Sequence, residues 1–463
     1  MGKHIFIKKL SAIIVSAHIC VLTNIVGGQT APTNAAPGES EVLLDLLRKK
    51  GVITEQEAKD AEKALKEKRL SREKAAADDF KFKVNKAVKS LEFFGDARLR
   101  YEYREGQSST SDTYARERYR YRLRLGLKSE FTDNFYGGIR IEPSTSQRSA
   151  LGTFGDDAGP WGKNNDRINI GQLYLGWKPN DWFNMEAGRI ANPIYSSLLV
   201  WDSDICPEGL TEKFKYSVGD FDLFATFGQF LYDDGDPENP FGNGAIGKES
   251  YMFAWQLGAN YKINKSMSFQ IAPALYTYTG GGDYDKVYNP AAGADSSIND
   301  LLILDIPAEF NFKALNLPWK IFGQVAVNLE ASDRAAAARA VNPLAYTAAG
   351  DENLAYQFGL SIGKSGKKGT WDTRVFWQHT ELFSLDPNLV DSDYFNGFLN
   401  FEGVGVSLNY SITDNIFFTV SYGYGDRINK RLTTGSGLDL GTFGNTYAGT
   451  RMNLFQVDLN WKF

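Results

Sequence analysis

Arginine recurs at every second position in two stretches of this chain. Arg98 and Arg100 precede Glu102 and Arg104 follows it at the same spacing, Arg120, Arg122 and Arg124 come next, and Arg140 stands between Ile139 and Ile141. A spacing of two places such residues on one face of an extended strand. A guanidinium keeps its charge at any physiological pH and can hold a carboxylate or phosphate with two hydrogen bonds. The chemistry available is therefore attraction and guidance of anions. Asp96, Glu102 and Glu142 lie in the same stretches. They leave a second reading, in which the arginines pair with neighbouring acids and only hold a wall together. Farther on, Asp202, Asp204 and Glu208 follow the apolar run Ile194, Tyr195, Leu198, Leu199, Val200, Trp201. Facing the arginines, these acids would set up a transverse field.

Other chemistry has little material. The histidines are His4, His18 and His379, and the cysteines are Cys20 and Cys206. Lys3, Lys8 and Lys9 precede a largely apolar stretch from Leu10 to Val26, and small residues follow at Gly27, Gly28, Ala35 and Ala36. This reads as an export signal over residues 1–28, cleaved between 28 and 36. Cys20 follows Ala17-His18-Ile19, without the small residue a lipidation site needs. The exported chain would keep one His and one Cys, which allows no intrachain disulfide and no His/Cys zinc centre. Neither metal nor cofactor is expected. A hydrolase would need His379 beside a serine and an acid, so a non-enzymatic role is expected. No phosphate-binding glycine loop or EF-hand spacing occurs. Nucleic-acid binding has no support, because the basic residues would line an interior. The acids of Asp233–Glu238 read as a solvated loop.

The elements that must position these residues change along the chain. Its 463 residues carry 51 Lys+Arg against 56 Asp+Glu, a net charge of −5, with 43% hydrophobic and 14% aromatic residues. No apolar run after residue 30 reaches the ~18 residues of a membrane helix. Residues 41–90 read as a helical segment with a basic excess: Val42, Leu43, Leu46 and Leu47 sit at helical spacing, Gly51 ends the first helix, and Thr54 with Glu57 forms a capping box for the second. It is either a periplasmic contact segment or a solvated spacer.

From residue 91 the period is two. Phe455, Val457, Leu459, Trp461 and Phe463 alternate with Gln456, Asp458, Asn460 and Lys462. Tyr119, Tyr121, Leu123, Leu125 and Leu127 alternate with Arg120, Arg122, Arg124, Gly126 and Lys128. Seven short links, near 130–135, 178–182, 218–221, 263–267, 315–318, 364–370 and 412–416, alternate with eight longer Gly/Asp/Asn-rich stretches. About sixteen antiparallel strands follow, with both ends on the short-turn side. A barrel that wide cannot fill itself with apolar side chains, so the apolar face points outward, towards lipid. Phe131, Phe135, Trp182, Phe221, Trp319, Trp371, Phe417 and Trp461 beside the short links would form an interfacial girdle. The fold class expected is all-β, a transmembrane antiparallel barrel over 91–463 preceded by the helical segment.

The chain resembles the 16-stranded outer-membrane porins, above all the "putative porin" family with an N-terminal helical segment. The resemblance rests on the signal, on KKGVITEQEAKDAEKAL, on Gly188-Arg189-Ile190-Ala191-Asn192-Pro193 leading to Trp201-Asp202-Ser203-Asp204-Ile205-Cys206-Pro207-Glu208-Gly209-Leu210, and on the terminal Phe463. Cys206 is unusual in an exported loop. The resemblance implies a passive diffusion channel in the bacterial outer membrane, often trimeric, contacting lipid and passing small hydrophilic solutes. It implies that the third long loop, 191–210, folds into the lumen and that Phe463 is read by the barrel-assembly machinery. The basic wall would then be Arg98, Arg100, Arg104, Arg120, Arg122, Arg124 and Arg140, with Asp202, Asp204 and Glu208 opposite. The other readings are a channel specific for phosphate or oligosaccharide and, more remotely, an outer-membrane hydrolase.

Overall fold

The computed structural model describes residues 50, 54–65, 67, 86–107, 113–143, 149–155, 167–233, 249–280, 298–341, 343–432 and 450–463. The chain divides into Met1–Val84 and Asn85–Phe463. The signal, its cleavage site and most of the 41–90 segment lie outside the described residues. Within the first unit, residues 55–65 are helical. Their start is the expected capping box: the Thr54 amide donates to the Glu57 carboxylate at 2.8 Å, and the Glu57 amide donates to Thr54 Oγ1 at 3.3 Å.

The second unit is a closed antiparallel barrel. Its strands are β1 (Val88–Gln107), β2 (Thr113–Phe131), β3 (Phe135–Pro143), β4 (Gly152–Thr153), β5 (Ile168–Trp177), β6 (Phe183–Arg189), β7 (Glu208–Val218), β8 (Phe221–Asp233), β9 (Ser250–Asn264), β10 (Met267–Ile271), β11 (Ala274–Gly280), β12 (Leu302–Ala314), β13 (Leu317–Asn328), β14 (Leu354–Gly363), β15 (Trp371–Thr380), β16 (Phe401–Ser411), β17 (Ile416–Arg427) and β18 (Arg451–Lys462). Consecutive strands pair, except that β3 pairs with β5 past β4 and that β10 and β11 both pair with β9 and β12; β1 also pairs with β18, which closes the ring. Sixteen staves result. β10 and β11 form one stave interrupted at Ala272-Pro273, where proline has no amide to donate, and β4 is a two-residue segment beside β2. The first strand begins at Val88, not at 91.

All seven short links are present. One of the two-residue links, Leu315-Asn316, has both residues at positive φ (53° and 62°), the twist that a two-residue hairpin needs. The alternation sets the faces as expected. Leu99, Tyr119, Leu123, Leu127, Trp255, Leu257, Ile321 and Phe358 are exposed on the outside. Arg100, Glu102, Arg120, Arg122, Gln256 and Gln324, which alternate with them, are buried within. Phe135, Trp182, Phe221, Trp371 and Trp461 are exposed outside near the short links, with stacked pairs at Phe221–Tyr261 and Phe312–Trp319. Phe417 departs from the expected girdle. It shares a face with Ser421 and Gly423, points inward and lies 5.0 Å below Lys462 Nζ, while its neighbour Phe418 faces out. Inward glycines make room for rings, as where Phe94 lies over Gly126 and Phe224 over Gly258, each directly cross-strand. A Cβ at either glycine would collide with the ring, so these pairs fix register.

The apolar core lies inside the loop end. It joins Ile194, Leu199, Val200 and Trp201 to Ala335 and Ala338 of the helix Ala331–Val341 and to Leu382, Phe383, Leu385 and Leu389.

Candidate functional site: the arginine wall and two inward loops

The β1–β2 register sets Arg98 opposite Arg122, Arg100 opposite Arg120, Asp96 opposite Arg124 and Glu102 opposite Arg118. Like charges directly opposite repel, so the wall holds only because carboxylates interleave. Asp96 meets Arg122 at 2.9 Å and Arg124 at 2.7 Å. Glu102, fully buried, accepts from Arg104 at 2.9 Å and from Arg118, lies 3.7 Å from Arg120, and also accepts from Gln456 at 3.0 Å. Asp458 on β18 takes Arg100 through two bonds, at 2.8 and 2.9 Å, with Arg98 at 3.6 Å. Arg140 pairs with Glu142 at 2.8 Å. The seven expected arginines therefore face inward, and each has a wall acid. Arg118 belongs with them. It shares the parity of Arg120 and Arg122, a signal present in the sequence.

The loop between β6 and β7 spans 190–207, shorter than the expected 191–210 because Glu208, Gly209 and Leu210 already belong to β7. Ile190 N donates to Pro207 O at 2.9 Å and closes its neck. The loop then crosses to the inner face of β9 and β13. Tyr195 N donates to Gln256 Oε1 at 2.8 Å, and Ser197 N donates to Gln324 Oε1 at 2.7 Å. Trp201 is buried against Phe230 and Tyr276.

The three loop acids have different fates. Asp204 approaches Arg122 at 3.6 Å and Arg124 at 3.7 Å. Asp202 does not meet the arginines. Its amide donates to Leu389 O at 2.6 Å, and its carboxylate accepts from Ser392 N and Oγ at 3.1 Å. Glu208 corrects the expectation outright. It lies on the outer face of β7 and pairs with Arg189 of β6, because strand parity carries it away from the lumen. Cys206 Sγ lies 3.6 Å from both Arg140 and Gln172, and burial pushes its thiol up.

A second loop, 381–400 between β15 and β16, is the main feature that sequence reasoning missed. Leu382, Phe383, Leu385, Leu389, Val390, Phe395, Phe398 and Leu399 are buried. The same apolar excess that marked 191–210 marked it too. This loop meets the arginine wall directly. Asp393 sits 3.1 Å from Arg100, Asn396 Oδ1 accepts from Arg104, and Ser392 O accepts from Arg104 at 3.3 Å. The two loops thus latch together at Asp202–Ser392 beside the wall. Burial raises Asp202 to about 6, helped by the nearby carboxylates of Asp393 and Asp204. Burial and Asp202 push Asp391 well above the ordinary range. Burial also opposes ionisation of Asp393, but the Arg100 and Arg98 guanidiniums outweigh it and hold that carboxyl low.

His379 lies elsewhere, near the loop end of β15. It faces outward, stacks on Tyr356 with ring centroids 4.8 Å apart, and bonds Glu402 at 2.8 Å. Among the described residues, no group of three or more His, Cys, Asp or Glu could hold a metal ion. Phe463 exchanges two backbone hydrogen bonds with Gly95, at 2.9 and 3.1 Å, and packs on Trp461.

Comparison with known proteins follows this geometry. No curated protein matches the chain. Among solved structures, a mutant of the Rh. blastica porin is 12% identical, covering 81% of this chain and 100% of that one, with a TM-score of 0.41. The high-pH structure of Pseudomonas putida OprB is 12% identical, covering 81% and 94%, with a TM-score of 0.48. The chain folds as a 16-stranded antiparallel barrel, and its residues 106–302 are similar to the family whose model is described as "putative porin".

Proposed function

We propose that the protein is an outer-membrane channel through which small hydrophilic solutes diffuse passively, with anions preferred, and that it performs no covalent step. The apolar exterior suits lipid and the polar interior suits water. The anion preference rests on one observation. Among the described residues, Arg98, Arg100, Arg104, Arg118, Arg120, Arg122, Arg124 and Arg140 face inward and share six carboxylates within ion-pair reach, those of Asp96, Glu102, Glu142, Asp204, Asp393 and Asp458. Positive charge is left over, and a low-dielectric wall focuses it on the lumen. In planar bilayers under a salt gradient, stable conductance steps with anion preference are expected. Cation preference would overturn the arginine argument, and silence from a folded barrel would overturn the channel.

A homotrimer is part of this reading. β6 has seven residues, which at a ~45° tilt rise only about 16 Å, short of the ~25 Å apolar band of such barrels. Beside it, Glu212 faces outward in line with Leu210 and Phe214, bonded by Gln229 at 2.9 Å. A carboxylate on a lipid face is unfavourable. A neighbouring copy covering β6–β7 would remove both problems. Phe463, joined to the first strand, suits recognition by the assembly machinery.

A further inference from the structure

We infer that Asp393 is a tethered stand-in for the carboxylate of a solute: loop 381–400 occupies an anion subsite on Arg100, and a carboxylate-bearing solute passes by displacing it. This rests on the anion-channel reading and deepens it by naming the solute class.

The geometry at Arg100 carries the inference. Its side chain is 4% exposed, and Nε and Nη2 are both committed to Asp458. The remaining nitrogen, Nη1, takes a single oxygen of Asp393 at 3.1 Å. The Asp393 side chain is 40% exposed. A buried guanidinium thus presents its one nitrogen not bonded to Asp458 to a partly exposed carboxylate. The contact is one-pronged and open to water on the Asp393 side, so it is weaker than the two-pronged bond to Asp458 and the easier of the two to exchange.

The seat around it is also incomplete. Asn396 is 7% exposed and Arg120 is 8% exposed, yet Asn396 Nδ2 and Arg120 Nε find no acceptor among the described residues. Both belong to the network at this site. Asn396 accepts from Arg104, Arg104 and Arg120 both reach Glu102, and Arg120 lies cross-strand from Arg100. Buried donors without acceptors are uncommon and mark a place where a group is missing. A free carboxylate brings two oxygens and no tether, so it can serve donors that Asp393 leaves idle. The resident group is itself a carboxylate, which favours a planar carboxylate over a tetrahedral phosphate.

Competition in bilayers tests this. Chloride current is recorded for the wild type and for Asp393→Asn while potassium succinate or inorganic phosphate is added. Arabinose uptake into liposomes reports whether each protein has inserted as a channel. Succinate should block the chloride current saturably, and its half-blocking concentration should fall roughly fivefold in Asp393→Asn, the scale of one exposed charge contact. Phosphate should block more weakly in both. Equal half-blocking concentrations in the two proteins, or succinate current without saturation, would overturn the inference and leave the channel standing. Equal block by phosphate would overturn the carboxylate assignment. A wild type that passes neither chloride nor arabinose removes the channel reading, and the inference with it.

Discussion

Replacing Glu102 by Gln removes the charge on which the wall depends most while keeping its shape. The side chain is fully buried and serves Arg104, Arg118 and Arg120 together with Gln456. An amide retains one acceptor oxygen but leaves three guanidiniums facing one another without a counter-charge. Breaking a buried ion pair from one side costs about 3–5 kcal/mol. Arg118 is 17% exposed, and water will screen part of its surplus charge, so the low end applies. The expected loss is about 3 kcal/mol, roughly a 150-fold change in the unfolding equilibrium. Reversible urea unfolding in lipid vesicles, followed by tryptophan fluorescence, measures it. The surviving barrels should also show a higher anion-to-cation permeability ratio. Adding Arg118→Met should restore part of the stability, because it removes surplus charge from the same network. A loss below about 1 kcal/mol would place Glu102 among solvated pairs and refute the argument that it sits in a dry part of the wall as the shared counter-charge of three arginines.

Three further outcomes follow from the geometry. Asp202 has a folded value near 6, above its ordinary 3.8, so the folded loops bind more protons than the unfolded chain between those values. The latch contribution is then full below pH ~4 and falls as pH rises through 6; conductance should rise over that window, and Asp202→Asn should flatten the profile. Replacing the outward Glu212 by Leu should stabilise an isolated barrel but shift trimers towards monomers, read by light scattering after size exclusion; an unchanged trimer would place Glu212 outside the interface. Deleting Phe463 removes two backbone bonds to Gly95 and a ring packed 4.7 Å from Trp461; folding into vesicles should slow severalfold while the pore of the folded fraction is unchanged, and equal folding rates would contradict a role in closure.

What the sequence determined by itself is everything that depends on local alternation. A strand repeats every two residues whatever surrounds it, so the inward set Arg120, Arg122, Arg124 and the outward set Tyr119, Leu123, Leu127 could be separated from their order alone. Short links between such runs then counted the staves. The same parity, extended by a few residues, would have added Arg118 to the wall and sent Glu208 outside. Tertiary structure decided which charges meet. Asp458 reaches Arg100 only because β18 closes on β1. Asp393 reaches it only because the lumen leaves room for loop 381–400 between the wall and loop 190–207. No local rule sets that room. It comes from the diameter of the closed ring and from which apolar loops compete to fill its mouth, and both depend on residues hundreds of positions apart along the chain.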